Sequence, residues 1–315
     1  MTKNFRQIVL PLIVALIWGS AFIVQGAVAD KMGPFTFNGV RSLIAVVALT
    51  VTALIFDGVK KKKGVTVEKT NVKMLVVGGV LCGIALTVAS NLQQFGMFGT
   101  TKEAGEVLTE GDTAFITALY IVLVPLSLLF FGKKPTLNVW IAVVVAVVGL
   151  MLICNFTGGK AFSVYHLELF LCSAAFTVHI LLIDHFVKFV DGVKLSCVQF
   201  SVMGVSSLIL ALIFEDFTFK VVFDNILPLL YVGVFSCAIA YTLQIVAQKG
   251  TNPTIVSILL SLESFFALVC EIGVGLISGN VKQHTVWQIV GCALMLIAIV
   301  LAQVNVFEMA KKQKE

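Results

Sequence analysis

Few side chains inside the apolar stretches of this chain can carry charge or move a proton. Glu263, in Ser261-Leu262-Glu263-Ser264, lies about eleven residues into a long apolar run, or roughly 16 Å at 1.5 Å per residue. Arg41 lies seven residues past Pro34, or roughly 10 Å into another run. Burying such a group in hydrocarbon costs about 2.5–3.5 kcal/mol on insertion scales. A glutamate is too short to reach water from that depth, so Glu263 must face a protein interior, be protonated or be paired. An Arg41–Glu263 ion pair is one option, and snorkelling of Arg41 towards the nearer surface is another.

Other candidates carry weaker signals. His179 sits mid-run, where a lone histidine is ordinarily a satisfied core group. Glu271, eight residues past Glu263, falls on nearly the same helix face and marks one mouth of a path. Trp18 and Phe22, one turn apart, form an aromatic wall or simple packing. Tyr120, Tyr241 and Gln244, with Thr117, offer hydrogen bonds to a cavity, and Asn91, Gln93 and Gln94 make one helix end polar. His166, His179, His185 and His284 show no ligand spacing, and there is no HExxH, GxSxG or phosphate-binding glycine loop. Neither an enzyme nor a cofactor or metal site is expected. The seven cysteines are odd in number, form no CxxC and lie almost entirely in apolar runs, which reads as small core filler.

These residues need elements to position them, and composition says which. Of 315 residues 59% are hydrophobic and 12% charged, with mean hydropathy +1.03. A water-soluble exterior cannot be built from that mixture, so soluble enzymes, nucleic-acid partners and disorder are excluded, and the lipid bilayer is the solvent. Ten stretches are apolar over about the 20 residues a membrane helix needs: 8–28, 36–56, 74–95, 112–131, 136–155, 166–187, 194–214, 226–247, 253–277 and 285–306. They are continuous rather than alternating, which favours a helical bundle over a β-barrel. The run after Lys3 and Arg6 is too long for a signal-peptide core and is expected to stay as the first span.

With a cytoplasmic N-terminus, sixteen Lys and Arg fall on the inner joints and five on the outer ones. That bias places both termini inside a bacterial-type plasma membrane, with Lys60–Lys63 as a topology anchor. Ten spans divide into five and five. Ser20-Ala21-Phe22 resembles Ala174-Ala175-Phe176, and Val139-Trp140 matches Val286-Trp287. The expectation is an all-α integral membrane protein of ten transmembrane helices, built as two inverted five-helix repeats over 1–158 and 159–315. Gly79-x-x-x-Gly83 and Gly275-x-x-x-Gly279 suit close helix contacts.

Four motifs stand in one order along the chain: Trp18-Gly19-Ser20-Ala21-Phe22; Gly33-Pro34 followed by Arg41; Ala114-Phe115-Ile116-Thr117-Ala118-Leu119-Tyr120 running to Pro125; and Ser261-Leu262-Glu263-Ser264. Together they resemble the EamA-like branch of the drug/metabolite transporter superfamily over nearly the whole chain. Two departures stand out. Ser264 occupies the place of that family's proline, and Thr100 to Asp112 form an acidic insertion, either a solvated loop or an outer lid. The resemblance implies a secondary transporter moving a small molecule, of the amino acid or amphiphilic cation class, by alternating access and in the efflux direction. A passive channel or uniporter is the alternative. Helices one to four and six to nine would enclose the cavity, leaving five and ten for the periphery or for homodimer contacts.

Overall fold

The computed structural model describes residues 5–62, 71–101, 108, 110–153, 163–278 and 286–312. Among them there is helix and no strand, as expected where lipid offers the backbone no hydrogen-bond partner. A π-helical turn, Phe5–Val9, leads into α1 (Leu10–Gly26). There follow α2 (Pro34–Lys62), α3 (Val72–Phe98), α4 (Glu110–Thr117), α5 (Tyr120–Phe130) and α6 (Leu137–Ile153). Next come α7 (Val164–Phe186), α8 (Gly192–Phe214), the short α9 (Phe219–Asp224) and α10 (Ile226–Tyr231). A π-helical segment, Val232–Ala240, joins α10 to α11 (Tyr241–Gln248), and α12 (Pro253–Leu260), α13 (Glu263–Ser278) and α14 (Val286–Lys312) complete the described chain.

Eight helical spans among the described residues are long and apolar enough to cross a membrane, and Leu137–Ile153 and Val286–Ala302 are shorter apolar helices. The protein is therefore multi-pass. The stretches 112–131, 226–247 and 253–277, expected as continuous helices, are each interrupted, by the α4–α5 break, the π segment and the α12–α13 break. Hydropathy averages over such features, so it does not register them. Broken backbone in lipid must be enclosed by protein. Accordingly, 61% of the α4–α5 and of the α12–α13 span is buried, against 17–44% of the other six.

The packing has a regular plan. α2 lies along α8, and α6 along α14. α3 packs on α7 and α8, while the Ile226–Gln248 span packs on α1 and α2; α1 packs on α13, while α7 packs on α4 and α5. Exchanging the helices from α1 to α6 for those from α7 to α14, in order, leaves this plan unchanged. Glycines set the closest approaches. A Cβ on Gly79 or Gly83 would fall 2.3–2.6 Å from Val198 or Val202 of α8, and one on Gly291 would fall 2.6 Å from the Gly149 carbonyl.

Carboxylates fasten α2 to α8 at both ends. Glu215, just past α8, accepts from the Phe35 and Thr36 amides at 2.8 Å each, satisfying donors that a helix N-terminus leaves open. At the other end Lys194 meets Asp57 at 3.0 Å. The described cysteines are all free. Residues 102–107 and 109 of the Thr100–Asp112 insertion, the 158/159 repeat boundary, Cys154, Lys63 and Gly279 lie outside the described residues.

Candidate functional site

A cavity opens where the α4–α5 and α12–α13 spans meet. Its empty space is ≈ 490 Å³, part of it open to the surroundings. α1 gives the wall Trp18, Phe22 and Gln25, whose spacing of four and then three puts them on one face. α1 can present them here because of Gly19: a Cβ at that position would lie 2.6 Å from the Glu263 carbonyl and the Ala267 amide of α13. Trp18 is held by its ring against Tyr241, centroids 4.7 Å apart, and by its Nε1 donating to the Ser236 carbonyl at 3.4 Å.

The two breaks share one hydrogen-bond pattern. In the first, Ala118 N bonds Ala114 O, Leu119 N bonds Ile116 O, Ile121 N bonds Ala118 O and Leu123 N bonds Leu119 O. In the second, Ser261, Leu262, Ser264 and Phe266 bond Ser257, Leu259, Ser261 and Leu262 in the same order. Each break is a tight 3₁₀-like turn. In the first, Pro125 lacks the amide that would hold the Ile121 carbonyl, weakening the turn that follows. In the second no proline is needed. Ser257 and Ser261 donate their hydroxyls to the Thr254 and Ile258 carbonyls at 2.8 Å, a side-chain habit that bends helices. The kink near Glu263 thus survives Ser264 standing where proline was expected, and it falls just before the acid.

Tyr120 and Glu263 occupy matching places, each opening the half-helix after its break. The Tyr120 hydroxyl donates to Glu263 Oε1 at 2.9 Å, and both residues line the cavity. Arg41 lines it from α2, is 3% exposed, and its Nη1 donates to Gln25 Oε1 at 3.3 Å. The guanidinium also lies 4.9 Å from the centre of the Phe37 ring. Arg41 and Glu263 form no ion pair, although they face one cavity: Gln25 and Phe37 hold the first, and Tyr120 holds the second.

Seven expected site residues therefore stand in the wall: Trp18, Phe22, Arg41, Tyr120, Tyr241, Gln244 and Glu263. Two do not. His179 is fully buried behind Tyr241, its Nε2 3.1 Å from Gln199 Oε1 and its ring edge-on to the tyrosine. Glu271 is half-buried two turns further along α13, off the wall. The wall also holds Gln93 and Thr117, and Gln25, Phe176, Ile180, Ser236 and Leu260, which sequence reasoning did not single out. Gln25 had a signal, being one turn past Phe22 on the same face. Phe176 had one too, since its segment resembles that of Phe22. Ser236 had none, because its carbonyl and side chain reach the site through the π segment. No group of three metal-ligating side chains occurs among the described residues.

A model of the EamA-like transporter family matches this chain twice, over residues 6–155 and 165–304. An Archaeoglobus fulgidus protein described as an uncharacterized transporter is 27% identical over 295 residues, covering 93% of this chain and 84% of the relative. A protein of known crystal structure superposes with a TM-score of 0.70 at 15% identity, over 98% of this chain and 99% of its own, which is a likeness of fold.

Proposed function

The chain belongs to the EamA-like transporter family, and from that premise we propose that it is a secondary carrier for a small metabolite of the amino acid or amphiphilic cation class, exporting it by alternating access. The carrying observation is the cavity between two broken spans whose breaks share four corresponding backbone hydrogen bonds and meet through Tyr120 and Glu263. Discontinuous helices at a repeat interface are how carriers build a central site. The exchangeable packing plan supports ten spans in two five-span repeats, α6 and α14 included as the fifth and tenth. An odd number per repeat requires the second copy to insert upside down. The lysine and arginine bias supports cytoplasmic termini in a plasma membrane. α6 and α14 pack mainly on each other, leaving exposed Ile141, Val144, Ile289 and Ile297 for lipid or a second copy.

The aromatic wall suits an apolar body, and the polar groups suit a charged or hydrogen-bonding head. Glu263, enclosed and able to exchange its proton when the cavity opens, is the coupling group in this reading. Counterflow in proteoliposomes tests the function. Vesicles loaded with an unlabelled amino acid or quaternary amine should accumulate the labelled form transiently above equilibrium. A linear, non-saturating flux without that overshoot would identify a channel instead.

A further inference from the structure

Resting on the carrier reading, we infer that the cavity takes a small zwitterion, with its anionic group on Arg41 and its cationic nitrogen on Glu263. Both residues are nearly or fully enclosed, both line the cavity, and they are not paired with each other. Each also has unused bonding capacity. Among the described residues the guanidinium makes one hydrogen bond, to Gln25, and its Nε makes none. Glu263 Oε1 accepts from Tyr120, while Oε2 has no hydrogen-bond partner among the described residues. Buried charges left apart in a low-dielectric site are expensive unless something else completes them. One ligand carrying both signs completes both.

The pseudo-repeat sharpens the assignment. Arg41 stands seven residues after the first residue of α2, and Gln199 stands seven after the first of α8. Gln25 comes three residues after Phe22 and pairs with Arg41; His179 comes three after Phe176 and pairs with Gln199. Likewise Tyr120 is the counterpart of Glu263. At both pairs of positions one half carries an ionisable side chain and the other an uncharged amide or phenol. The cation comes from the first half and the anion from the second, so the cavity has a fixed charge axis that a symmetric site would lack. Trp18, Phe22 and Phe176 supply apolar surface for the body of the ligand. Gln244 Oε1, buried and unpartnered in the wall, is a further acceptor for an ammonium.

A free amino acid and a phosphoethanolamine head group share this chemistry. The test uses purified protein in nanodiscs of phosphatidylglycerol, which lacks the zwitterionic head. Thermal stabilisation and calorimetry would be run against the L-amino acids, glycine betaine and glycerophosphoethanolamine. Binding of amino acids or betaine assigns a free solute, and binding of glycerophosphoethanolamine alone assigns a lipid head. For an amino acid that binds, the methyl ester lacks the anion and the deaminated acid lacks the cation. Wild type should prefer the zwitterion over each by tenfold or more. Arg41→Gln should abolish the preference over the ester, Arg41→Lys should retain part of it, and Glu263→Gln should abolish the preference over the deaminated acid. An ester that binds wild type as tightly as its parent, or no zwitterion bound at all, overturns the inference without needing any variant. Counterflow of an amphiphilic cation with no zwitterion binding would sink this inference and leave the carrier reading standing. Zwitterion binding without counterflow would do the reverse.

Discussion

The hydroxyl of Tyr120 lies 2.9 Å from Oε1 of Glu263, and the two residues open matching half-helices in two interrupted spans. This one hydrogen bond ties together the halves of the chain at the wall of the cavity. Tyr120→Phe keeps the ring and removes the donor. We expect a folded protein less stable by about 1 kcal/mol, the usual net worth of such a bond. Counterflow should slow by roughly fivefold to tenfold as the carboxyl loses its fixed orientation. Unchanged counterflow would mean that the bond plays no part in turnover.

Gly19 allows α1 to touch the α13 backbone beside Glu263. Gly19→Ala would place a methyl 2.6 Å from main-chain atoms that cannot turn aside. Overpacking of this kind costs about 1–3 kcal/mol. The expected result is a lower melting temperature and loss of most transport. Gly58→Ala is the control, because nothing lies within 4 Å of its would-be Cβ. Within α2 it should be neutral or stabilising by up to about 1 kcal/mol.

Much of this was legible beforehand, and the reasons differ by residue. Composition alone marks the chain as a membrane bundle. Glu263 and Arg41 stand out because charge in an apolar run is costly, and Trp18 and Phe22 because their spacing shares a face. The breaks were not legible. A 3₁₀ turn at Ala118-Leu119 changes no hydropathy average, and the turn at Ser261-Leu262 depends on serine hydroxyls choosing backbone partners. His179 had the right depth but the wrong azimuth, since the Gln199 partner lies on α8. Only the assembled packing decides which way such a face turns.

Glu215 joins the end of α8 to the start of α2 through two backbone amides. Glu215→Gln keeps one acceptor oxygen and removes the charge that favours a helix N-terminus. The expected loss is about 0.5–2 kcal/mol, read as a drop in thermal stability. A Cβ at Gly33 would lie 2.2 Å from the Glu215 carboxyl carbon, so the carboxylate would have to shift away from the two amides. Gly33→Ala should therefore lower stability at least as much as Glu215→Gln. Equal stability of all three proteins would show that the clasp carries nothing.

Single cysteines in a cysteine-depleted background test the inverted arrangement. The proposed five-span first half puts positions 2 and 163 on opposite faces of the membrane. A maleimide that cannot cross the bilayer should label Ser163→Cys from outside intact cells, and Thr2→Cys only after permeabilisation. Labelling of both from one side would rule out a five-span first half.

Transport driven by a pH gradient across proteoliposomes tests the central role of Glu263 most directly. Wild type should move its solute faster when the gradient is imposed than when it is collapsed. Glu263→Gln should keep counterflow at a reduced rate and show no response to the gradient. A Glu263→Gln protein whose transport still follows the pH gradient as wild type does would contradict the account, because the proton would then be carried elsewhere.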